Sequence, residues 1–202
     1  MIYFVRRPFE ADNNKLSHKK QLKSSLNEIL TDVLAQLDIN YTQDNLVYGE
    51  HGKPYLKNIN NVFFNISHCH ELGVCTVSDT EVGIDAENIR KWSPLVPKRV
   101  FSDRENNFLE NAENKDEAFF RLWTLKESFV KAIGIGISYP LKTCEFLFDN
   151  ENIIASGCDG CSFLQIILND TFICSACVKN TDKYSNKLYR ITETQQVFSL
   201  NL

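Results

Sequence analysis

The 202-residue chain lacks an excess of positive charge, with 22 Lys and Arg residues against 26 Asp and Glu residues and a formal net charge of −4. This balance argues against a general nucleic-acid or membrane-surface binder, because both need clustered basic side chains. The chain also lacks a low-complexity segment and any apolar run near the roughly 20 residues that a membrane-spanning helix needs. At 43% hydrophobic and 24% charged residues, it has the composition of an ordinary soluble globular protein.

The start of the chain, MIYFVRRPFEADNN, does not have the pattern of a secretory signal. Its apolar run is short, and the arginines follow this run instead of preceding it. The seven cysteines are an odd number in a chain without such a signal, which favours reduced thiols. We therefore expect a cytoplasmic protein.

Four of the cysteines form two C-x-x-C pairs, CDGC at 158–161 and CSAC at 174–177, and this spacing is also typical of a zinc ribbon. However, FICSACV has the pattern of an apolar strand, on which cysteines three apart point to opposite faces. It also lacks the Gly or Pro of a zinc-binding turn. We expect free thiols and keep a structural zinc site as the alternative.

Helical patterns and strand patterns alternate along the chain in two blocks. Residues 17–37 carry apolar side chains at helical spacing, and a second helical region, with its N-cap at Ser102 or Asp103, continues to Ile133 with a break near residues 112–115. IYFVRR, VFFNIS, LGVCTVS, EVGIDAE and the runs beyond LKTCEFLF have strand patterns. KWSPLVPKR, with two prolines, is predicted to connect the blocks. We therefore predict an α+β fold.

LWTLKESFVKAIGIG, at residues 122–136, is a helix pattern that ends in glycines. Its apolar residues recur at spacings of three and four and predict one core-facing stripe. Glu127 and Lys131 lie four apart on another face. Taken alone, such a pair is most simply a solvated ion pair on a helix surface, which stabilises a helix by about 0.3 kcal/mol. For Lys126, contact with a phosphate or a partner and exposure to solvent are equally favoured.

VGIDAE places Asp85 and Glu87 two residues apart on a predicted strand, where both carboxylates share one face. Gly83 leaves space beside them. Two like charges this close repel unless a cation lies between them, and Mg²⁺ is the usual resident of such an oxygen-rich site. Two solvated acids at the end of an exposed strand are the alternative from this hexapeptide alone.

FNISHCH places Ser67 and His68 at the end of another apolar strand, and GKP places Lys53 on a turn between Gly52 and Pro54. A hydroxyl, an imidazole and an ammonium group could together hold a phosphate. Taken one motif at a time, a hydrogen-bonded structural histidine and a surface lysine remain the simpler interpretations.

The order GKPYL, FNISH, VGIDAE, WTLKESFVKAIGIG resembles the 4'-phosphopantetheinyl transferase superfamily, and its surfactin-type (Sfp-type) branch in particular. The resemblance covers residues 17–140, and the GID-x-E strand and the W-x-x-KE-x-x-x-K helix are its most specific parts. It implies a monomeric pseudo-dimer of two similar α/β subdomains, residues 1–92 and 93–202, with the active site in the cleft between them.

The resemblance also implies a reaction, the Mg²⁺-dependent transfer of 4'-phosphopantetheine from coenzyme A to a serine of an apo acyl or peptidyl carrier protein. Adenosine 3',5'-bisphosphate would be released. Mg²⁺ is the expected cofactor, with Mn²⁺ as the alternative, and neither nucleic acid nor membrane is an expected partner. By motif, the implied metal ligands are Asp85, Glu87 and Glu127; the implied coenzyme A ligands are Lys53, Ser67, His68 and Lys131; and the implied catalytic residues are Glu127, His68 and Lys131.

The sequence departs from the family pattern in two places. The segment before the first helix is short, so the basic residues that embrace the nucleotide in relatives have no clear counterpart here. Ala86 stands where a larger aliphatic residue is usual between the two acids. One competing hypothesis is a non-catalytic carrier-binding or zinc-ribbon module, which the loss of Asp85, Glu87, Glu127 or Lys131 would have favoured, but all four are present. The other is a different Mg²⁺-dependent nucleotide enzyme, which dependence of the reaction on a carrier protein separates from the transferase.

Overall fold

A computed structural model describes residues 2–6, 27–69, 72–150, 152–179, 191–193 and 197–198, and it confirms the predicted α+β class. The helices are α1 (27–35), α2 (Leu95–Val100), α3 (Asp103–Asn111) and α4 (Lys115–Ile133). The strands are β1 (Ile2–Arg6), β2 (Leu46–Tyr48), β3 (Pro54–Leu56), β4 (Phe63–Cys69), β5 (Leu72–Ser78), β6 (Val82–Asn88), β7 (Glu145–Asp149), β8 (Asn152–Ser156), β9 (Cys161–Leu168), β10 (Phe172–Lys179), β11 (Ile191–Glu193) and β12 (Val197–Phe198). In the described part of the chain, no helix combines the length and the apolar character that crossing a membrane requires.

The strands form two larger sheets and two hairpins. The first sheet has the order β12-β11-β1-β5-β4, the second has the order β6-β10-β9, and the hairpins are β2-β3 and β7-β8. β10 runs antiparallel to β6, with Ser175 opposite Asp85. The sheet β6-β10-β9 therefore joins the last strand before residue 92 to two strands after it. The division into similar subdomains at 1–92 and 93–202 remains a prediction.

The two sheets are connected by polar side chains of β4 that bond the backbone of β6. Asn65 Oδ1 accepts a hydrogen bond from the amide of Ile84 at 2.9 Å, and Ser67 Oγ accepts one from the amide of Ala86 at 3.3 Å. A side chain that substitutes for a neighbouring strand satisfies backbone donors that would otherwise be buried without a partner. This connection fixes Ser67 beside the carboxylate-bearing part of β6.

Helix α4 packs directly on β6, and Gly83 lies against the backbone of the helix. A Cβ atom at Gly83 would lie 2.1 Å from the carbonyl oxygen of Ser128 and 2.3 Å from the amide nitrogen of Ala132. The prediction that Gly83 leaves space beside the acids is therefore wrong, because the backbone of α4 fills this space. The missing side chain brings the helix and the strand together.

The helix boundaries follow ordinary capping rules. Ser102, one of the two predicted N-cap residues, caps α3 and forms a capping box with Glu105. Helix α3 ends at Asn111, directly before the predicted break near residues 112–115. Helix α4 starts after Asn114, whose side chain accepts from the amide of Glu117, and it ends at Gly134 with φ of 72°.

The segment KWSPLVPKR does more than connect the two blocks, because it contains the short helix α2. Pro97 lies in the first turn of α2, where a missing amide hydrogen has no intrahelical partner to lose. The predicted helix at 17–37 is confirmed for residues 27–35, and residues 17–26 lie outside the described residues.

Three apolar clusters form the core. The largest packs α4 against α2, α3, β7 and β10, and it contains the predicted stripe residues Leu122, Leu125 and Phe129. A second lies among β5, β6, β9 and β10, and a third packs α1 against β4 and β5. Because α4 contributes its apolar face to the largest cluster, Glu127 and Lys131 lie on the other side of the helix, towards β6.

Candidate active site

The structure brings Lys131, Asp85 and Ser67 into direct contact where α4 crosses β6. Lys131 Nζ lies 2.6 Å from Asp85 Oδ1, 3.0 Å from Ser67 Oγ and 3.1 Å from the carbonyl oxygen of Ile84. Ser67 Oγ also donates to Asp85 Oδ1 at 3.0 Å. The ammonium group has three donors, and each has an acceptor here. A residue from each of three separate sequence motifs therefore meets at one point.

Glu127 and Glu87 complete this group through their charges. Glu127 is half-buried one helical turn before Lys131, and Glu87 follows Asp85 on the same face of β6. We call Ser67, Asp85, Glu87, Glu127 and Lys131 the Asp85 cluster.

Burial and mutual repulsion raise the pKa of two carboxyl groups in the Asp85 cluster. For Asp85, burial is the largest cause, the nearby Lys131 ammonium opposes it, and Glu87 adds to it. For Glu127, burial is again the largest cause, and the charge of Asp85 is the next. The carboxylates thus have more negative charge than Lys131 alone balances, and a further cation would favour their ionised forms.

The Asp85 cluster fits a hard divalent cation by the chemistry of its donors. Asp85 Oδ2 is buried and has no hydrogen-bond partner among the described residues, although a buried carboxylate oxygen ordinarily has one. The carboxylates of Asp85, Glu87 and Glu127 are oxygen donors of the kind that Mg²⁺ prefers. Across the described ranges, no three Asp, Glu, His or Cys side chains are already gathered closely enough to hold a metal ion.

Arg90 is a neighbour of the site that the sequence analysis missed. Its guanidinium donates to Glu87 Oε2 at 2.6 Å and to the carbonyl oxygen of Asn88 at 2.8 Å, and it lies 4.7 Å from the ring centroid of Phe120. The spacing of three residues between Glu87 and Arg90, at the end of a predicted strand, could have indicated this ion pair from the sequence. Arg90 supplies positive charge at the exposed edge of the Asp85 cluster.

Lys53 lies at the C-terminal end of α4. Its ammonium donates to Glu81 Oε2 and, at 2.6 Å, to the carbonyl oxygen of Ala132, and the residue is 7% exposed. Burial lowers the pKa of Lys53, and the hydrogen bond to Glu81 opposes this shift. The structure thus joins the GKP turn to the helix end, and the nucleotide-binding role of Lys53 stays a prediction.

His68 lies on the exposed face of β4. Successive side chains of a strand point to opposite faces, so His68 faces away from Ser67 and from the Asp85 cluster. The structure therefore brings Ser67, Asp85 and Lys131 together but does not place His68 with them. The role of His68 in phosphate binding also stays a prediction.

The interpretations of Lys126 as bound to a phosphate, in contact with a partner or facing solvent do not describe the structure, in which this residue is 0% exposed. Its ammonium forms a 2.9 Å ion pair with Glu105, which is also fully buried. The signal for Glu105 was the S-x-x-E spacing from Ser102, which is typical of a capping box and does not reveal a second role.

The cysteine pairs also have defined places. CSAC lies within β10, and the predicted strand is confirmed: Cys174 packs in the cluster among β5, β6, β9 and β10, whereas Cys177 packs on the other face in the α4 cluster. Cys161 lies at the start of β9, and the thiol of Cys177 on the adjacent strand β10 lowers the pKa of Cys161. All seven cysteines are free thiols in the structure.

Comparisons with known proteins show to which family the chain is similar. A family model described as the 4'-phosphopantetheinyl transferase superfamily matches residues 81–182, which include β6 and α4. The chain is 35% identical over 129 residues to 4'-phosphopantetheinyl transferase gsp of Aneurinibacillus migulanus, covering 62% of this chain and 54% of that protein. It is 40% identical over 95 residues to 4'-phosphopantetheinyl transferase Sfp of Bacillus subtilis (strain 168), covering 46% and 42% respectively.

A third relative, 4'-phosphopantetheinyl transferase HetI of Nostoc sp., is 34% identical over 140 residues, covering 65% of this chain and 59% of that protein. Among solved structures, Thermotoga maritima holo-[acyl-carrier-protein] synthase aligns with a TM-score of 0.44 and 20% identity over 52% of this chain and 65% of that chain. The chain spans about half the length of the curated relatives it matches.

Proposed function

Because the chain belongs to the 4'-phosphopantetheinyl transferase superfamily, we propose that it transfers 4'-phosphopantetheine from coenzyme A to a serine hydroxyl of an apo acyl or peptidyl carrier protein. The observation that carries this proposal is the contact between the GID-x-E strand and the KE-x-x-x-K helix, where Lys131 Nζ lies 2.6 Å from the buried Asp85 carboxylate and the charge of Asp85 acts on Glu127. Both elements lie within the part of the chain that matches the family.

In the proposed reaction, the serine oxygen forms a bond to the phosphorus that carries the pantetheine arm. The bond from this phosphorus to the bridging oxygen of the pyrophosphate breaks, and adenosine 3',5'-bisphosphate leaves. Catalysis of such a displacement consists mainly of positioning the reactants and stabilising the phosphate charges. Mg²⁺, or Mn²⁺ as the alternative, would be held by Asp85, Glu87 and Glu127 and would supply charge neutralisation at the pyrophosphate.

Glu127 is the candidate general base for the serine proton. Burial and the charge of Asp85 raise its pKa, which makes its carboxylate more basic than a solvated one. Metal binding would lower this basicity again, so the ligand role and the base role of Glu127 oppose each other. The pH profile of the reaction distinguishes them.

Lys131 is the candidate residue for phosphate neutralisation. Its side chain is 28% exposed, and its ammonium lies 2.6 Å from Asp85 Oδ1. A phosphate oxygen would compete with Asp85 for this ammonium. Ser67, Lys53 and His68 are proposed to contact the nucleotide end of coenzyme A, with His68 acting from the exposed face of β4.

The partners follow from the reaction. We propose coenzyme A and an apo carrier protein as substrates and a monomeric, cytoplasmic enzyme without nucleic-acid or membrane partners. The net charge of −4 supports the absence of nucleic-acid and membrane partners, since a negatively charged protein has no general attraction to nucleic acid or to an anionic membrane surface.

Intact mass spectrometry of an apo carrier protein incubated with the protein, coenzyme A and Mg²⁺ tests the proposal. The expected result is a mass gain of one phosphopantetheine group, which is abolished by EDTA and by Glu127→Ala. No gain on fatty-acid, polyketide or nonribosomal-peptide carriers, with the protein folded, would contradict the proposed activity. Loss of coenzyme A binding would contradict the site assignment as well.

A further inference from the structure

A buried ion pair lies on the side of α4 away from the Asp85 cluster. Lys126 directly precedes Glu127 on the helix, so the two side chains leave the helix about 100° apart. Lys126 and Glu105 are each 0% exposed, and their charged atoms are 2.9 Å apart. Most long charged side chains reach the surface, and a fully buried pair is an exception that calls for a physical explanation.

Every donor of the Lys126 ammonium is used. Besides Glu105, it donates to the carbonyl oxygens of Leu141 at 2.8 Å and Cys144 at 2.5 Å. It also lies 5.8 Å from the ring centroids of both Phe101 and Phe146. Lys126 therefore fastens α4 to the segment that leads into β7.

Glu105 is equally well satisfied. Oε2 accepts from the amide of Ser102 at 2.7 Å as well as from Lys126, and Oε1 accepts from the amide of Phe146 at 2.9 Å. Three chain segments, namely the start of α3, the middle of α4 and the start of β7, thus meet at one pair of charges.

Replacing a buried ion pair by neutral residues of similar volume is often neutral or stabilising. Stability alone therefore does not account for charges at this position, whereas a fixed geometry does. Gly83 allows the close approach of α4 to β6. Because Gly83 has no side chain that could interlock with the helix, it does little to fix the rotation of α4 about its axis. A rotation of about 20° would move the carboxylate of Glu127 by about 2 Å, given the roughly 5–6 Å radius of a helix with side chains.

We propose that the Glu105–Lys126 pair is a positioning device, which fixes the rotation of α4 and thereby holds Glu127 and Lys131 against Asp85. This inference rests on the proposed function, because it assigns a purpose to the accuracy of that site. Lys126 and Glu105 touch no reacting atom and act through the helix.

The double variant Glu105→Gln/Lys126→Met tests the device with Mn²⁺ as the probe, by calorimetry in the presence of coenzyme A. We expect the melting temperature of the double variant to match or exceed that of the wild type. The Mn²⁺ dissociation constant should rise at least about tenfold and kcat should fall by a similar factor, because the loss of outer residues that orient metal ligands has effects of this size. The control variant is Arg104→Gln, which breaks the exposed 2.8 Å ion pair between Arg104 and Glu145. This ion pair also joins α3 to β7, but its loss should change neither the Mn²⁺ dissociation constant nor kcat.

A folded double variant with the Mn²⁺ affinity of the wild type would overturn the inference and leave the proposed function intact. If the double variant does not fold, Glu105→Asp tests the inference instead, because it keeps the charge but shortens the side chain by one methylene. A Glu105→Asp variant with the Mn²⁺ affinity of the wild type would also overturn the inference. A wild type that binds Mn²⁺ but modifies no carrier overturns the proposed function alone. A wild type that binds neither Mn²⁺ nor coenzyme A overturns both.

Discussion

At the scale of single residues, the site contains buried negative charge that is unfavourable for folding. Asp85 is 5% exposed, its Oδ2 atom is buried without a partner among the described residues, and the carboxylates of the Asp85 cluster repel one another. Burying an ionised carboxylate is costly unless it is fully paired. A cation that binds these carboxylates in the folded state alone would stabilise the protein.

Glu127→Gln should stabilise the metal-free protein at neutral pH. The pKa of Glu127 is raised on folding above its ordinary value of 4.5, so the folded state favours the protonated form. Below this ordinary value, the carboxyl is protonated in both states and costs nothing; as the pH rises through the folded pKa, the wild type loses stability. The glutamine side chain avoids this loss.

Thermal unfolding in EDTA measures this effect. The melting temperature of Glu127→Gln should exceed that of the wild type at pH 7 and approach it near pH 4. Glu110→Gln, on α3, serves as a control for the removal of one acid. A wild type that is the more stable protein at pH 7 in EDTA would show that Glu127 is stabilised by its surroundings.

At the scale of helices and strands, the contact of α4 with β6 decides the geometry of the site. Glu127 and Lys131 are on the helix and Asp85 and Glu87 are on the strand, so their separation depends on how closely the two backbones approach. Gly83 permits this approach, since a Cβ atom there would lie 2.1 Å from the backbone of Ser128.

Gly83→Ala should therefore destabilise the protein by about 3 kcal/mol, because the helix backbone cannot yield as a flexible side chain could. Gly52→Ala is the matched control: it has open space around its Cβ position and only the strain of φ +80°, which costs about 1 kcal/mol. Urea unfolding monitored by tryptophan fluorescence gives both values. Equal losses for the two variants would contradict the close packing at Gly83.

The sequence patterns predicted the local elements well and the long-range contacts poorly. The strands at VFFNIS, LGVCTVS and EVGIDAE and the break before α4 follow from periodicity and capping, which depend on neighbouring residues. The burial of Lys126 depends on Glu105, 21 residues earlier in the numbering, and on carbonyl groups near Cys144, and no local pattern reveals such partners.

Two features of the candidate site were within reach of the sequence. Ser67 and His68 are adjacent on a strand, so the alternation of side chains already separates them onto two faces. The order of the motifs led to Asp85 and Lys131, which the structure places 2.6 Å apart. The pairing of β6 with β10 was not accessible, because the two strands are distant in the chain and both have ordinary apolar patterns.

At the scale of the whole molecule, the two halves share one sheet. β6 precedes residue 92 and pairs along its length with β10, and α4 packs on both strands. Groups that share a sheet and a core unfold together in most small proteins. The predicted subdomains should therefore not behave as independent folding units.

We expect one unfolding transition in urea, at the same midpoint by circular dichroism and by tryptophan fluorescence. A chain divided after residue 92 should give fragments without a cooperative transition, because β6 would lose β10 and α4 would lose β6. Two separated transitions in the intact chain, or a folded fragment, would contradict this coupling.

The most direct test of the central claim is the transfer rate of Asp85→Asn, measured by intact mass spectrometry of a carrier protein. This variant keeps the size and the hydrogen-bonding oxygen of Asp85 but removes its charge, while Asp170→Asn, in the exposed β9–β10 turn, serves as the control. We predict a loss of at least about 100-fold in a protein that stays folded, because 100-fold is the upper range for residues that only orient metal ligands and Asp85 is proposed as a ligand itself. Transfer by Asp85→Asn at the rate of the wild type would show that the reaction takes place elsewhere.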